Sequence, residues 1–262
     1  MPQLAGLLLK AILKKWFFDH FANPLTVMLV PVDIVLPCYN PNDTWHKELT
    51  GFYNAAKHLY ALNFILVNDG SLTTGVAKTV EQLQQQVPLQ YISYAGNKGK
   101  GYALRQGVQA SQSNVVVYTD VDFPFTTQSM ISVINVVVNY ECDIAAGYRS
   151  EKYYRENMSF YRKILSKSFR FFIKRVLGMA ITDTQCGLKG FNKTGREKFL
   201  STTINRYLFD FEFIYISGKD KSVSIMPVEV QLKDNIVFSK MKLKVLVQES
   251  FNLLRILLFK KK

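Results

Sequence analysis

The chain is expected to be an α/β protein with a mostly parallel central sheet flanked by helices. Three observations predict this. Short apolar runs alternate with helical segments from about residue 32 to residue 118. The connections between them are short, which suits parallel strands with helices on both faces. The 262 residues, 48% hydrophobic and 13% aromatic, suffice for one large domain with a sizeable core.

The elements follow in order. Residues 1–31 form a basic, aromatic-rich leader that reads mainly as helix up to about Phe21. A strand at Val32–Leu36 is expected to stop at Pro37. Asp43 to Tyr60 reads as a helix capped by Asp43 or Thr44, and Phe64–Val67 as the next strand. Helix follows near Gly75–Gln86, strand at Leu89–Ser93, helix at Gly101–Ser111 and strand at Val115–Tyr118. The second half is less regular. It holds a helix near Thr126–Asn139, a strand at Ile144–Ala146 and a long basic helix from about Ser159 to Leu177. The segment Gly187–Phe191, a helix near Phe211–Ser217 and a strand at Ser222–Val230 complete it. The expected division is a leader at 1–31, a main domain at 32–238 and a basic amphipathic helix at 239–262.

Composition excludes several classes. The formal net charge of +13 fits nucleic acid, an anionic membrane or a phosphorylated substrate as partner. Cys38, Cys142 and Cys186 make an odd count with no CxxC or His/Cys cluster, which speaks for a reducing cytosol and against a disulfide scaffold or zinc site. No stretch reaches the roughly 18 uninterrupted apolar residues of a membrane span. Lys10, Lys14 and Lys15 interrupt the N-terminal apolar run, which argues against a signal peptide.

The chemistry-bearing residues stand at successive strand ends. Pro37-Cys38-Tyr39-Asn40 ends the first strand and Asn68-Asp69-Gly70-Ser71 the second. Asn97-Lys98-Gly99-Lys100-Gly101 follows the third, and Asp120-Val121-Asp122 ends the fourth. Open α/β sheets bind ligands at this edge. Alone, each loop is an ordinary turn or helix entry. The glycine segment is not a P-loop, because no Ser or Thr follows its lysine, and it is not a first-strand dinucleotide fingerprint. Two carboxylates one residue apart need a positive charge between them. A hard divalent cation carrying a diphosphate would supply it.

As an ordered set, these four segments resemble the motifs of family 2 glycosyltransferases with the GT-A fold. The segments Asp183-Thr184-Gln185-Cys186-Gly187-Leu188-Lys189-Gly190-Phe191 and Arg206-Tyr207-Leu208-Phe209-Asp210-Phe211-Glu212 resemble the branch that makes dolichyl- or polyprenyl-phosphate glucose from UDP-glucose. The resemblance spans roughly residues 32–230. It implies that Pro37, Tyr39, Asn40, Asp69 and Asn97 hold the nucleotide, with Lys100 near it or its phosphates. It implies that Asp120 and Asp122 bind the donor ribose and a Mg2+ or Mn2+ ion, Asp122 the more directly. Arg149 matches a phosphate-binding arginine, a task that suits a planar guanidinium. The sequence departs from the family pattern at Asn68, Pro41 and Pro124, where an acidic residue, an acidic residue and, in some members, a glutamine are usual.

The resemblance implies inverting transfer of a hexose, glucose, from a UDP-sugar. A lipid-phosphate acceptor is already anionic and asks mainly for positioning. A hydroxyl acceptor, as on a lipid-linked saccharide, needs a carboxylate base, for which Asp183 and Asp210 are the candidates. Helix capping and core salt bridging are their structural alternatives. Glu212, two residues from Asp210, should face elsewhere. Lys163, Lys167, Arg170 and Lys174 make one basic stripe at helical spacing, beside an apolar stripe of Tyr161, Leu165, Phe169, Phe172 and Val176. They are candidate acceptor or membrane contacts. The tail has Leu243, Leu246, Val247, Leu254, Leu257 and Leu258 ringed by lysines, and the leader repeats the pattern around Leu4, Leu8, Ile12 and Trp16. Peripheral or monotopic attachment to the cytoplasmic face of an anionic membrane is expected. A homodimer through the terminal helices is the alternative use of these faces. A non-catalytic nucleotide-sugar-binding protein is the rival of another class. No nucleic-acid-binding motif is present, and no nucleic-acid partner is expected.

Overall fold

The structure is a computed structural model. It describes residues 28–73, 75–150, 167–168, 170–171, 173–175, 181–234, 249, 252–253 and 256–258. Residues 1–27 of the leader, Lys163 and most of the expected tail helix lie outside the described residues, and the expected end of the leader at residue 31 is overtaken by β1, which opens at Val30. The elements are β1 (Val30–Cys38), α1 (Trp45–Ala56), β2 (Tyr60–Asp69), α2 (Val76–Gln84), β3 (Leu89–Tyr94), α3 (Lys100–Ala110) and β4 (Val115–Tyr118). They continue as α4 (Thr127–Val138), β5 (Ile144–Tyr148), β6 (Lys189–Phe191), α5 (Lys193–Leu200), α6 (Phe209–Lys219) and β7 (Ile225–Glu229).

The strands form one seven-stranded sheet in the order β3-β2-β1-β4-β6-β5-β7. All neighbours are parallel except β6, which runs antiparallel to both β4 and β5. Alternation along the strands builds two cores. Val32, Ile34, Leu36, Phe64, Leu66 and Val117 pack with α1, α2 and α4 on one face. Val35, Ile65, Val67, Val116 and Tyr118 pack with α3, α5 and α6 on the other. On that second face Phe191, Phe199 and Phe213 interlock, with Phe191 stacked on Phe199 at 5.5 Å and Phe199 edge-on to Phe213 at 5.1 Å. Ile173 and Ile256 are buried in the same core, with Leu253 and Leu257 packed against it. Leu253, Ile256 and Leu257 of the tail thus face the protein's own sheet, while Leu258 is exposed.

Two boundaries and one element depart from expectation in ways that have a clear physical cause. The first helix ends at Ala56, and Tyr60 opens β2 opposite Val30. The Tyr60, Leu62, Phe64 alternation is a strand period, and pairing to β1 overrides the helical continuation. β1 runs through Pro37 to Cys38, because β4 pairs with β1 only as far as Val35. Beyond that point β1 is an edge on that side, where proline is tolerated. The helix α5 was not anticipated. Asn192 caps it, its side chain accepting from the Gly195 amide at 3.2 Å, but the glycine in its first turn weakens the sequence signal. A Cβ at Gly195 would lie 2.5 Å from Phe191 Cβ and 2.7 Å from the Asp143 carbonyl oxygen, so packing excludes a better helix former.

The strand ends away from the site are tied by Asp33. This buried carboxylate accepts from the amides of Gln112 (2.7 Å) and Ser113 (2.9 Å), from Ser113 Oγ (2.9 Å) and from Asn63 Nδ2 (3.1 Å). It fixes the α3–β4 connection beside β1. Asp33→Ala should lower stability by about 1–3 kcal/mol in urea denaturation, because buried donors lose their acceptor. An unchanged midpoint would mean that packing alone holds the connection.

Candidate active site

The carboxyl ends of β1–β4 meet at one edge, as parallel strands require. Asn40, just past β1, has a positive φ of 46°. Its side-chain oxygen accepts from the Leu72 amide at 2.8 Å and the Thr73 amide at 3.3 Å, while its own amide donates to Ser71 Oγ at 2.9 Å. Asn68 Oδ1 accepts from the Ser71 amide at 3.0 Å, and its Nδ2 donates to Tyr91 Oη and Ser93 Oγ. The Asn68–Ser71 loop is thereby locked between β1 and β3. Pro37 lies half-buried within β1, and Tyr39 is exposed at its end.

Asp69 closes the next loop. Its Oδ1 accepts from Tyr94 Oη (2.9 Å) and the Lys98 amide (2.7 Å). Its Oδ2 accepts from Asn97 Nδ2 and the Gly99 amide, both at 2.9 Å. Burial and Asp69 together push the Tyr94 hydroxyl well above its usual range. The glycines of this loop serve close backbone approach. A Cβ at Gly99 (φ 105°) would stand 2.4 Å from the Asn205 carbonyl oxygen, and one at Gly101 would stand 2.5 Å from that of Ile204. The Asn205 carbonyl accepts from the Gly101 amide at 2.8 Å and the Tyr102 amide at 3.3 Å. The start of α3 is thus docked on the 203–205 segment, which Glu212 holds in turn by accepting from the amides of Thr203 and Ile204 at 2.8 Å. Glu212 faces away from Asp210, as expected from their spacing.

Lys100, the first residue of α3, reaches across to β4. Its Nζ lies 2.5 Å from Asp120 Oδ1, with the two side chains 30% and 40% exposed. Burial draws the ammonium pKa down, but Asp120, Asp210 and Asp122 outweigh this and leave it raised. A Cβ at Gly187 would lie 3.0 Å from Asp120 Oδ2 and 3.4 Å from Lys100 Nζ, so the backbone there walls the ion pair on one side. Asp122, half-buried, is shifted up, first by burial and then by the charge of Asp120. Its folded pKa exceeds its unfolded one. Ionising it therefore costs stability as pH rises from the ordinary carboxylate value through the raised one, and the loss persists above. A hard divalent cation fits this demand, with carboxylate oxygens from Asp120 and Asp122. Among the described residues no cluster of three or more His, Cys, Asp or Glu could hold an ion, so most of a cation's ligands would be phosphate or water.

The remaining candidates are engaged with one another. Arg149, just past β5, donates from Nε to Asp183 Oδ2 (2.9 Å) and from its second terminal nitrogen to Oδ1 (2.8 Å), and its amide donates to Oδ2 (2.8 Å). This is a bidentate pair that ties β5 to the segment before β6. Asp210 accepts from the Tyr118 hydroxyl and from Lys189 Nζ, the latter at 2.8 Å. Lys189 has no exposed surface, and its other two donors go to the carbonyls of Thr184 (2.9 Å) and Cys186 (2.6 Å). Three N–H bonds meet three acceptors. Sequence reasoning passed over Lys189, although a lysine inside the run Leu188 to Phe191 was a signal. Desolvation in the same region pushes the Cys186 thiol up to about 12. Lys167 and Lys174 are exposed, Arg170 is half-buried, and Ile173 between them is buried. No described contact brings these basic residues to Asp120 or Asp122.

A parallel half-sheet with carboxylate loops at its strand ends, joined to a mixed half through one antiparallel strand, defines a GT-A glycosyltransferase fold. Residues 33–200 match the family described as glycosyl transferase family 2. The chain belongs to that family. A dolichyl-phosphate beta-glucosyltransferase of Drosophila melanogaster is 27% identical over 202 residues, covering 71% of this chain and 62% of that protein. The Homo sapiens protein of the same description is 30% identical over 169 residues, covering 60% and 52%. The chain thus spans somewhat over half the length of these curated relatives. Glucosyl-3-phosphoglycerate synthase of Mycobacterium tuberculosis, solved with Mg2+ and UDP, shares the fold at a TM-score of 0.61 and 15% identity, covering 88% of this chain and 79% of that one.

Lys189→Met should lower stability by about 3–5 kcal/mol, because it leaves the Asp210 carboxylate buried without its cation. Chemical denaturation measures this. Lys189→Arg should recover less than half of the loss, since a planar guanidinium cannot reproduce three converging bonds. A loss under about 1 kcal/mol for Lys189→Met would show that the knot is not structural.

Proposed function

We propose that the chain transfers a hexose, glucose, from a UDP-sugar to a polyprenyl or dolichyl phosphate, with a divalent cation and inversion at the anomeric carbon. The observation that carries the acceptor class is the engagement of both candidate bases. Asp183 is held bidentately by Arg149, and Asp210 accepts from Lys189 and Tyr118. A hydroxyl acceptor would need one of them to take a proton. A phosphate acceptor arrives already anionic and needs none. The names of the curated relatives support the same acceptor and sugar.

In this reading Tyr39, Asn40 and the Asn68–Ser71 loop frame the nucleoside. Asp69 and Asn97 act on it indirectly, by holding the loop that carries Lys100. Asp120 and Asp122 would hold Mg2+ or Mn2+, which when bound supplies the electrostatic stabilisation of a diphosphate leaving group. Lys100 would add its charge to the leaving phosphates, and Arg149 would orient the wall of the acceptor side. Work at the cytoplasmic face of a membrane, as a peripheral or monotopic protein, belongs to the same proposal. Exposed Lys167, Lys174 and Arg175 surround Phe171, which is 63% exposed, and this surface suits anionic lipid. Among the described residues no helix is long and apolar enough to cross a membrane.

Incubation with labelled UDP-glucose, Mn2+ and a short polyprenyl phosphate should yield a lipid-extractable glucosyl phosphate. Asp122→Ala should reduce its formation by about 100-fold or more. Transfer to saccharide hydroxyls but not to the lipid phosphate would overturn the acceptor assignment.

A further inference from the structure

We propose that Lys100 is the resident counter-ion of Asp120, and that a divalent cation and a nucleoside diphosphate displace it together, each tightening the other's binding. The proposal rests on the metal reading above. Lys100 Nζ already occupies Asp120 Oδ1 at 2.5 Å. The Gly187 backbone closes the other side of the pair, within 3.0 Å of Asp120 Oδ2 when measured from the Cβ position. A cation approaching Asp120 alone therefore meets an ammonium at the same carboxylate.

The lysine is built to leave. Its backbone is fixed, because Gly101 and Tyr102 donate to the Asn205 carbonyl and Gly99 donates to Asp69. Its side chain is part-buried, with 30% of its surface exposed, so it is not locked in the core. Three carboxylates act on it: Asp120, Asp210 and Asp122. A divalent ion at Asp120 and Asp122 would cancel much of that attraction and repel the ammonium. A diphosphate on the same ion offers the ammonium new oxygens within the sweep of a four-carbon stem. Metal without diphosphate takes Asp120 from Lys100 and offers the ammonium no phosphate oxygen in exchange. Diphosphate without metal must compete with Asp120 for Lys100. With both ligands present, the cation is shared by the carboxylates and the diphosphate, and the ammonium has phosphate oxygens to meet. By linkage, the factor by which UDP raises metal affinity equals the factor by which metal raises UDP affinity.

Calorimetric titration of Mn2+ into the full chain tests this, with and without saturating UDP, for wild type, Lys100→Met, Lys100→Gln and Lys100→Arg. Circular dichroism confirms folding, and two neutral variants guard against one failing to fold. Wild type should bind Mn2+ weakly alone and at least about tenfold more tightly with UDP. Both neutral variants should bind Mn2+ alone about tenfold more tightly than wild type, with a smaller gain from UDP. Lys100→Arg should keep the wild-type pattern. Neutral variants with wild-type affinity for Mn2+ alone, or with an undiminished UDP gain, would overturn the proposal and leave the metal site standing. No Mn2+ binding by wild type even with UDP would overturn the metal reading itself, and the proposal with it.

Discussion

The structure depends on matching negative charge at one edge of a sheet. Asp69, Asp120, Asp122, Asp183 and Asp210 all lie at or near that edge, and a carboxylate removed from water needs donors or a cation. Four have them. Asp69 takes four hydrogen bonds, two from amides, one from Tyr94 and one from Asn97. Asp183 takes Arg149, Asp210 takes Lys189 and Tyr118, and Asp120 takes Lys100. Asp122 has its own amide and the more distant charges of Lys100 and Lys233, and its carboxyl is raised.

That inequality divides the labour. The matched carboxylates hold backbone: Asp69 the Asn97–Gly99 turn, Asp183 the join to β5, and Asp210 the start of α6 against β6. Lys189 unites the last two, since it also binds the carbonyls on either side of Gln185. The wall behind Asp120 and Lys100 is the Gly187 backbone, one residue past that anchor. In the function proposed above, the ligand-facing work falls to Asp122 and to the Lys100–Asp120 pair. A carboxylate left unmet beside matched neighbours at a sheet edge marks a candidate ligand site.

Much of this was legible in the sequence. The alternation of apolar runs gave the parallel half, and the order of the four strand-end segments pointed to the edge and to Asp120 and Asp122. The pairings were not legible. Arg149 and Asp183 are 34 residues apart, and Tyr118 and Asp210 are 92 apart, so no local pattern links them. The role of Asp69 escaped because half of its donors are backbone amides, which every residue carries. The antiparallel β6 is three residues long, too short for a period, and the first turn of α5 carries a glycine that packing demands. The end of α1 is hard to place from sequence because the strand period beginning at Tyr60 is short there and is fixed by pairing to β1.

The central claim is that Asp122 is unmatched while its neighbours are matched. Thermal unfolding at neutral pH in a chelating buffer tests it most directly, using single Asp→Asn variants at 69, 122, 183 and 210. The account predicts lower unfolding temperatures for Asp69→Asn, Asp183→Asn and Asp210→Asn, each of which loses charge-assisted bonds. It predicts no loss, and a rise, for Asp122→Asn, because the ionised carboxylate costs stability in the fold. A fall for Asp122→Asn as large as that for Asp210→Asn would contradict it.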